Sequence, residues 1–191
     1  MAKRILGIDP GSRTTGYAIL VEKNGKFYAE ACDVLQMAHM EDHTERLQFI
    51  FEGISELVQK YKPEECAVET PVYGVDPLAM LKLGRAQAAA LLAITNQGIS
   101  VAEYYPKAVK KAITGNGNAS KKQVAFMLDK LMKLPGEKIK ADATDALAVA
   151  WCHYTNSGRI TSGKPKMHQN NSKSSWSAFV ENNPGRVRNP E

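Results

Sequence analysis

The chain is poor in the residues that staple small folds or build soft-metal sites. Its 191 residues hold three cysteines, Cys32, Cys66 and Cys152, widely spaced and odd in number. With no Cys-x-x-Cys pair, they support neither a disulfide framework nor a zinc site, and they read as reduced core thiols of a cytoplasmic protein. Long apolar runs are equally scarce. No signal-length stretch follows Met1-Ala2-Lys3-Arg4, and the Ala/Leu-rich segment Ala86–Ile94 is short and flanked by Arg85 and Asn96. No membrane span is therefore expected. A Gly-x-x-x-x-Gly-Lys loop is missing, which argues against P-loop nucleotide chemistry. Histidine is sparse too: His39, His43, His153 and His168 stand apart from the acidic positions described below and are expected to face solvent or to pack.

What is present begins with positive charge. Twenty-five Lys and Arg against 20 Asp and Glu leave a net charge of +5, which favours a polyanionic partner. The length allows one domain with a sizeable core and a tail, and is short for a two-lobed ATPase.

Apolar periodicity predicts strands over Arg4–Asp9, Tyr17–Glu22, Phe27–Val34, Cys66–Glu69 and Ser100–Tyr105. Asn24-Gly25 marks a hairpin turn, and Pro10-Gly11-Ser12 another. Helices are expected over His43–Lys60, from Asp76-Pro77 to about Asn96, from Pro106 to about Ile113, from a Ser120/Gln123 capping box to about Leu134, and over Ala141–Tyr154. Three strands followed by alternating helices and strands describe an α/β domain on a five-stranded mixed sheet, spanning 1–155. From 156 to 191 Gly, Ser, Asn, Pro and Lys dominate, predicting a flexible basic tail.

Four acids carry the chemistry. Asp9 and Glu69 end core strands, so each is held rigidly while its head can meet solvent. Asp142 and Asp145, at i and i+3, share one face of a helix start among small residues. Such a pair repels unless a cation joins it, although a helix N-terminus also favours acids without any metal. Taken together, four carboxylates suit hard cations such as Mg2+, and two such ions can activate water against a phosphodiester. Nearby, Lys107, Lys110, Lys111, Lys121 and Lys122 surround the turn Gly115-Asn116-Gly117-Asn118, where glycines let backbone amides approach a phosphate. A solvated helix face is the other reading for Lys111 and Lys122.

These residues resemble the RuvC family of Holliday-junction resolvases. The matching stretches are ILGIDPGSRTTG (Ile5–Gly16), Val68–Glu69, LKLGRAQ (Leu81–Gln87), Glu103–Tyr104, Val109–Lys110, GNGNASK (Gly115–Lys121) and ADATDALA (Ala141–Ala148). The resemblance implies an RNase H-like fold, a homodimer, and a metal-dependent endonuclease that nicks opposed strands of a four-way DNA junction during recombination and repair. It implies a divalent metal and that Asp9, Glu69, Asp142 and Asp145 are the catalytic acids; by their oxygen donors the expected cofactor is Mg2+, two per site, with Mn2+ as a substitute. It places Lys110 and Lys121 near the scissile DNA; by charge and turn chemistry Lys107, Lys111, Gly115 and Gly117 are further DNA-facing candidates, and Arg85 on the LKLGRAQ helix is expected to face DNA or a dimer partner. It also implies branch-migration partners of the RuvA and RuvB type. Where the family carries an aromatic wedge three residues after the catalytic Glu, this chain has Val72, with Tyr73 beside it to stack on bases. The rival readings are an RNase H-like nuclease of ribosomal RNA maturation and a junction-binding module without catalysis.

Overall fold

The computed structural model describes residues 2–72, 74, 76–136 and 139–160. Strands β1 (Lys3–Asp9), β2 (Thr14–Lys23) and β3 (Lys26–Gln36) form an antiparallel meander. Asn24 and Gly25 both take positive φ, 55° and 74°, which the two-residue turn between β2 and β3 requires. Helix α1 (His43–Tyr61) leads to β4 (Glu65–Glu69), and α2 (Pro77–Thr95) leads to β5 (Val101–Tyr104). Both β4 and β5 run parallel to their inner neighbours, giving the mixed order β3-β2-β1-β4-β5. Helices α3 (Pro106–Thr114), α4 (Lys121–Leu131) and α5 (Ala141–Ile160) complete the domain.

The period-2 alternation of the strands divides the core between two faces. Leu6 and Ile8 of β1, Ile19 and Val21 of β2, and Cys66 and Val68 of β4 pack with α1 and α2. Ile5, Ala18, Leu20 and Ala67 pack on the other face with α3, α4 and α5. By the same alternation Asp9 follows Ile5 and Gly7, and Glu69 follows Ala67, so both acids belong to the α5 face.

Helix α5 can lie close to that face because β1 and β2 offer it no side chain at the crossing. A Cβ at Gly7 would stand 2.2 Å from the Ala146 carbonyl oxygen, and one at Gly16 would stand 1.9 Å from that of Asp142. Ala146, Leu147, Ala148 and Ala150 are buried there. The small residues that read as close packing in the sequence are the counterpart of these two glycines.

Capping follows the sequence closely. Asp76 accepts hydrogen bonds from the amides of Leu78 and Ala79, and Ser120 and Gln123 form a capping box. Two helix ends differ from expectation. Helix α4 stops at Leu131, because Lys133 turns out to pair with the β3 edge: its amide bonds the Phe27 carbonyl and its carbonyl accepts from Ala29. Helix α5 runs on to Ile160, past the expected end at Tyr154. A compact unit covers Met1–Gly158, and residues 161–191 lie outside the described residues. Finally, α2 is 19 residues long with a mean hydropathy of 1.3, enough in length and composition to cross a membrane, which the shorter run Ala86–Ile94 did not suggest. Ala86, Ala90, Ala93 and Ile94 are nonetheless buried against the sheet, and the helix is part of the folded domain.

The three thiols belong to the interior. Cys66 and Cys152 are buried, and Cys32 is partly covered and donates to the Ala143 carbonyl at 3.3 Å. Burial pushes the thiols of Cys32 and Cys66 up to about 12 and that of Cys152 up to about 11.

Candidate active site

β1 and β4 are parallel neighbours with Ile8 opposite Val68, so their last residues, Asp9 and Glu69, emerge side by side at one sheet end. The first turn of α5 brings Asp142 and Asp145 over the same end. One carboxylate oxygen from each of Asp9, Asp142 and Asp145 lies within 4.8 Å of the others. Asp9, Glu69 and Asp145 line a cavity of about 320 Å3 together with Lys110 and Lys121, between walls that include Pro10, Pro71, Leu83, Pro106 and Val109.

The electrostatics are those of an anionic cluster in which four carboxylates stand beside two lysines. Asp9 is pushed up to about 8, first by burial, then by the charges of Glu69 and Asp145. Glu69 rises to about 7, again by burial first and the charge of Asp145 second. Lys121 opposes both shifts. Its Nζ stands 2.5 Å from Asp145 Oδ2, and that hydrogen bond raises its own pKa above the ordinary value. A dense set of carboxylate oxygens, partly desolvated and reluctant to ionise together, is the donor set that a hard divalent cation takes up. The residues present fit such an ion.

The structure thus brings together Asp9, Glu69, Asp142, Asp145, Lys110 and Lys121. It does not bring the other candidates to the cavity wall. Lys107 and Lys111 are exposed elsewhere on α3, and Arg85 is exposed on α2 near His43. Gly115 ends α3 with φ 76°, a left-handed cap, and Gly117 backs onto the Lys107 carbonyl, where a Cβ would stand 3.1 Å away. Tyr73 lies outside the described residues, and Val72 is exposed.

Four connections escaped sequence reasoning. Lys121 neutralises Asp145 from another helix, 24 residues away. Glu103 of β5 accepts from Gln87 of α2 at 2.6 Å and from Thr70, the residue after Glu69, at 3.3 Å. His153 is buried on α5. Its Nδ1 meets the Tyr104 hydroxyl at 2.9 Å and its Nε2 meets Glu65 at 2.8 Å, and Glu65 also pairs with Lys3 at 2.9 Å. The signal for His153 was its place eight residues after Asp145, on the same inward helix face. Arg46 of α1 donates to the carbonyls of Ser12, on the loop between β1 and β2, and of Met40, on the connection between β3 and α1.

A family model described as crossover junction endodeoxyribonuclease RuvC matches residues 5–153, which include all four acids. The chain belongs to the RuvC family. A RuvC from Salinibacter ruber is 45% identical over 184 residues, 96% of this chain and 98% of that protein. One from Colwellia psychrerythraea is 47% identical over 150 residues, 78% of this chain and 85% of that one. Among solved structures, Thermus thermophilus RuvC in complex with a Holliday-junction substrate superposes with a TM-score of 0.74 at 30% identity, covering 82% of this chain and 96% of that one. The yeast mitochondrial Holliday-junction resolvase, at 16% identity and a TM-score of 0.62, shares the fold. The sheet order, the helices on both faces and these likenesses make the domain RNase H-like. RuvC members are endonucleases by name, and that activity sets aside the readings without catalysis.

Proposed function

We propose that this chain resolves four-way DNA junctions by hydrolysing one phosphodiester in each of two opposed strands. The observation that carries the reading is the meeting of Asp9, Glu69, Asp142 and Asp145 at one sheet end, in a chain whose RuvC match runs through all four. Asp9, Asp142 and Asp145, with Glu69 across the cavity, would hold divalent ions. Mg2+ suits their oxygen donors, two ions per site, with Mn2+ an acceptable substitute. When bound, such ions supply a nucleophilic water and stabilise the leaving oxygen. The chain's own residues do the rest. The rigid strand ends fix Asp9 and Glu69, the glycine crossing fixes the first turn of α5, and Lys110 and Lys121 offset phosphate charge at the cavity wall.

Paired nicks need two sites related by a two-fold axis, and a homodimer provides them. Helix α2 suits the contact: Leu78, Leu81 and Leu92 are exposed on it, Leu92 at 61%. Leu92→Glu is expected to give monomers in sedimentation and to uncouple the two nicks. Lys107, Lys111, Arg85 and the Gly115–Gly117 turn would meet the arms beyond the cavity, with Val72 and Tyr73 at the crossover. Action in the cytoplasm beside branch-migration proteins of the RuvA and RuvB type, and a basic tail that assists DNA or partner contact, complete the reading.

The test is cleavage of a labelled mobile four-way junction in Mg2+, with linear duplex and structured RNA as controls. Symmetric nicks confined to the junction are expected. Preferential cutting of RNA would overturn the reading.

A further inference from the structure

Helix α4 separates two cavities. Lys121 reaches into the acid cavity, whereas its neighbour Lys122 lines a second one of about 480 Å3 with Thr114, Asn116, Gln123, Phe126 and Met127. Phe126 is 62% exposed, an unusual position for a large aromatic, and Lys130 Nζ lies over its ring at 5.6 Å from the centroid. Lys122, Phe126 and Lys130 are spaced i, i+4, i+8 and share one face. Asp129 stands 3.9 Å from Lys130, but the segment 121–133 carries four lysines against that single acid.

We propose that the Lys122–Phe126–Lys130 face of α4 is a DNA-arm contact that continues the path of the scissile strand away from the acid cavity. The inference rests on the junction-cleaving reading. An exposed aromatic between two cations suits a strand whose phosphates meet the lysines while its sugars or bases cover the ring. Eight residues of helix span about 12 Å, or roughly three to four base pairs of duplex. The net positive charge selects a polyanion over an ordinary protein surface, and α4, whose Lys121 and Val124 line one cavity and whose Lys122 and Phe126 line the other, makes the path continuous.

The experiment measures binding of the full chain to a four-way junction in EDTA across a salt series. The variants are Lys122→Gln/Lys130→Gln, Lys122→Arg/Lys130→Arg and Phe126→Ala. Removing two phosphate contacts is expected to lower the log K against log salt slope by about 1.8, and the Arg pair to retain it. Phe126→Ala is expected to weaken binding several-fold with the slope unchanged. Wild-type slope and affinity in all three variants would overturn the proposal and leave the face to a protein partner. A wild-type chain that binds no junction would overturn the underlying reading as well. Circular dichroism separates either result from misfolding.

Discussion

Lys121 Nζ stands 2.5 Å from Asp145 Oδ2, so α4 and α5 meet through a charge pair at the acid cavity. That lysine also holds down the pKa of Asp9 and of Glu69. Lys121→Met is expected to move the alkaline-rising limb of the cleavage pH profile upward by about one unit. A lower rate with an unmoved limb would mean that Lys121 serves the phosphate alone.

Asp9→Asn separates chemistry from stability. Cleavage is expected to fall by more than about 100-fold, beyond what loss of an outer-shell partner costs. The ion-free variant is expected to melt a few degrees higher, since about 1 kcal/mol of relieved repulsion and desolvation corresponds to about 2–4 °C in a chain of this size. Calorimetry with and without Mg2+ reads both effects, and stabilisation by Mg2+ should be lost in the variant.

Asp9 and Glu69 are raised from ordinary values of 3.8 and 4.5 to about 8 and about 7. The folded chain therefore keeps protons that the unfolded chain has already released, and ion-free stability is expected to fall as pH rises from about 4.5 to 8. Mg2+ competes with those protons, so its stabilising effect should grow over the same interval. Urea midpoints at pH 5, 6.5 and 8 give the sign. A midpoint that rises with pH in EDTA would contradict the burial of these carboxyls.

The glycine crossing is expected to be intolerant of a single methyl group. Gly16→Ala would press a Cβ against the Asp142 carbonyl and should cost about 3 kcal/mol or more, with cleavage lost in the molecules that remain folded. Gly84→Ala, in the interior of α2 with open space around it, should instead stabilise by about 0.5–1 kcal/mol. Equal effects at the two positions would remove the crossing as the device that sets α5.

His153→Ala is expected to cost about 1–3 kcal/mol, because the Tyr104 hydroxyl and one Glu65 oxygen lose their partner. Chemical denaturation of the ion-free protein measures it. A fully retained midpoint would show that water replaces the imidazole.

Much of this architecture was legible in the residues. The short apolar runs Ile5–Ile8 and Cys66–Val68, the Asn24-Gly25 turn, the Asp76-Pro77 start and the Ser120/Gln123 box are local signals, and local physics decided them. The four acids were legible because strand tips and a helix start can be read along the chain. What escaped was set by contacts between distant segments. Lys133 leaves α4 because the β3 edge offers hydrogen bonds that helix propensity does not count. Lys121 finds Asp145, and Gln87 finds Glu103, only after the helices have docked. The apolar length of α2 was underestimated because Lys82 and Arg85 interrupt it in sequence, while Leu78, Met80, Leu81 and Leu83 offset them in its mean hydropathy.

The sealed thiols have a practical corollary. Alkylation requires a thiolate and an open path, and Cys66 and Cys152 offer neither in the folded domain. Each maleimide adduct at Cys66 or Cys152, located by peptide mass spectrometry, would therefore record one opening of the interior, giving a clock for unfolding that leaves the acid cavity untouched.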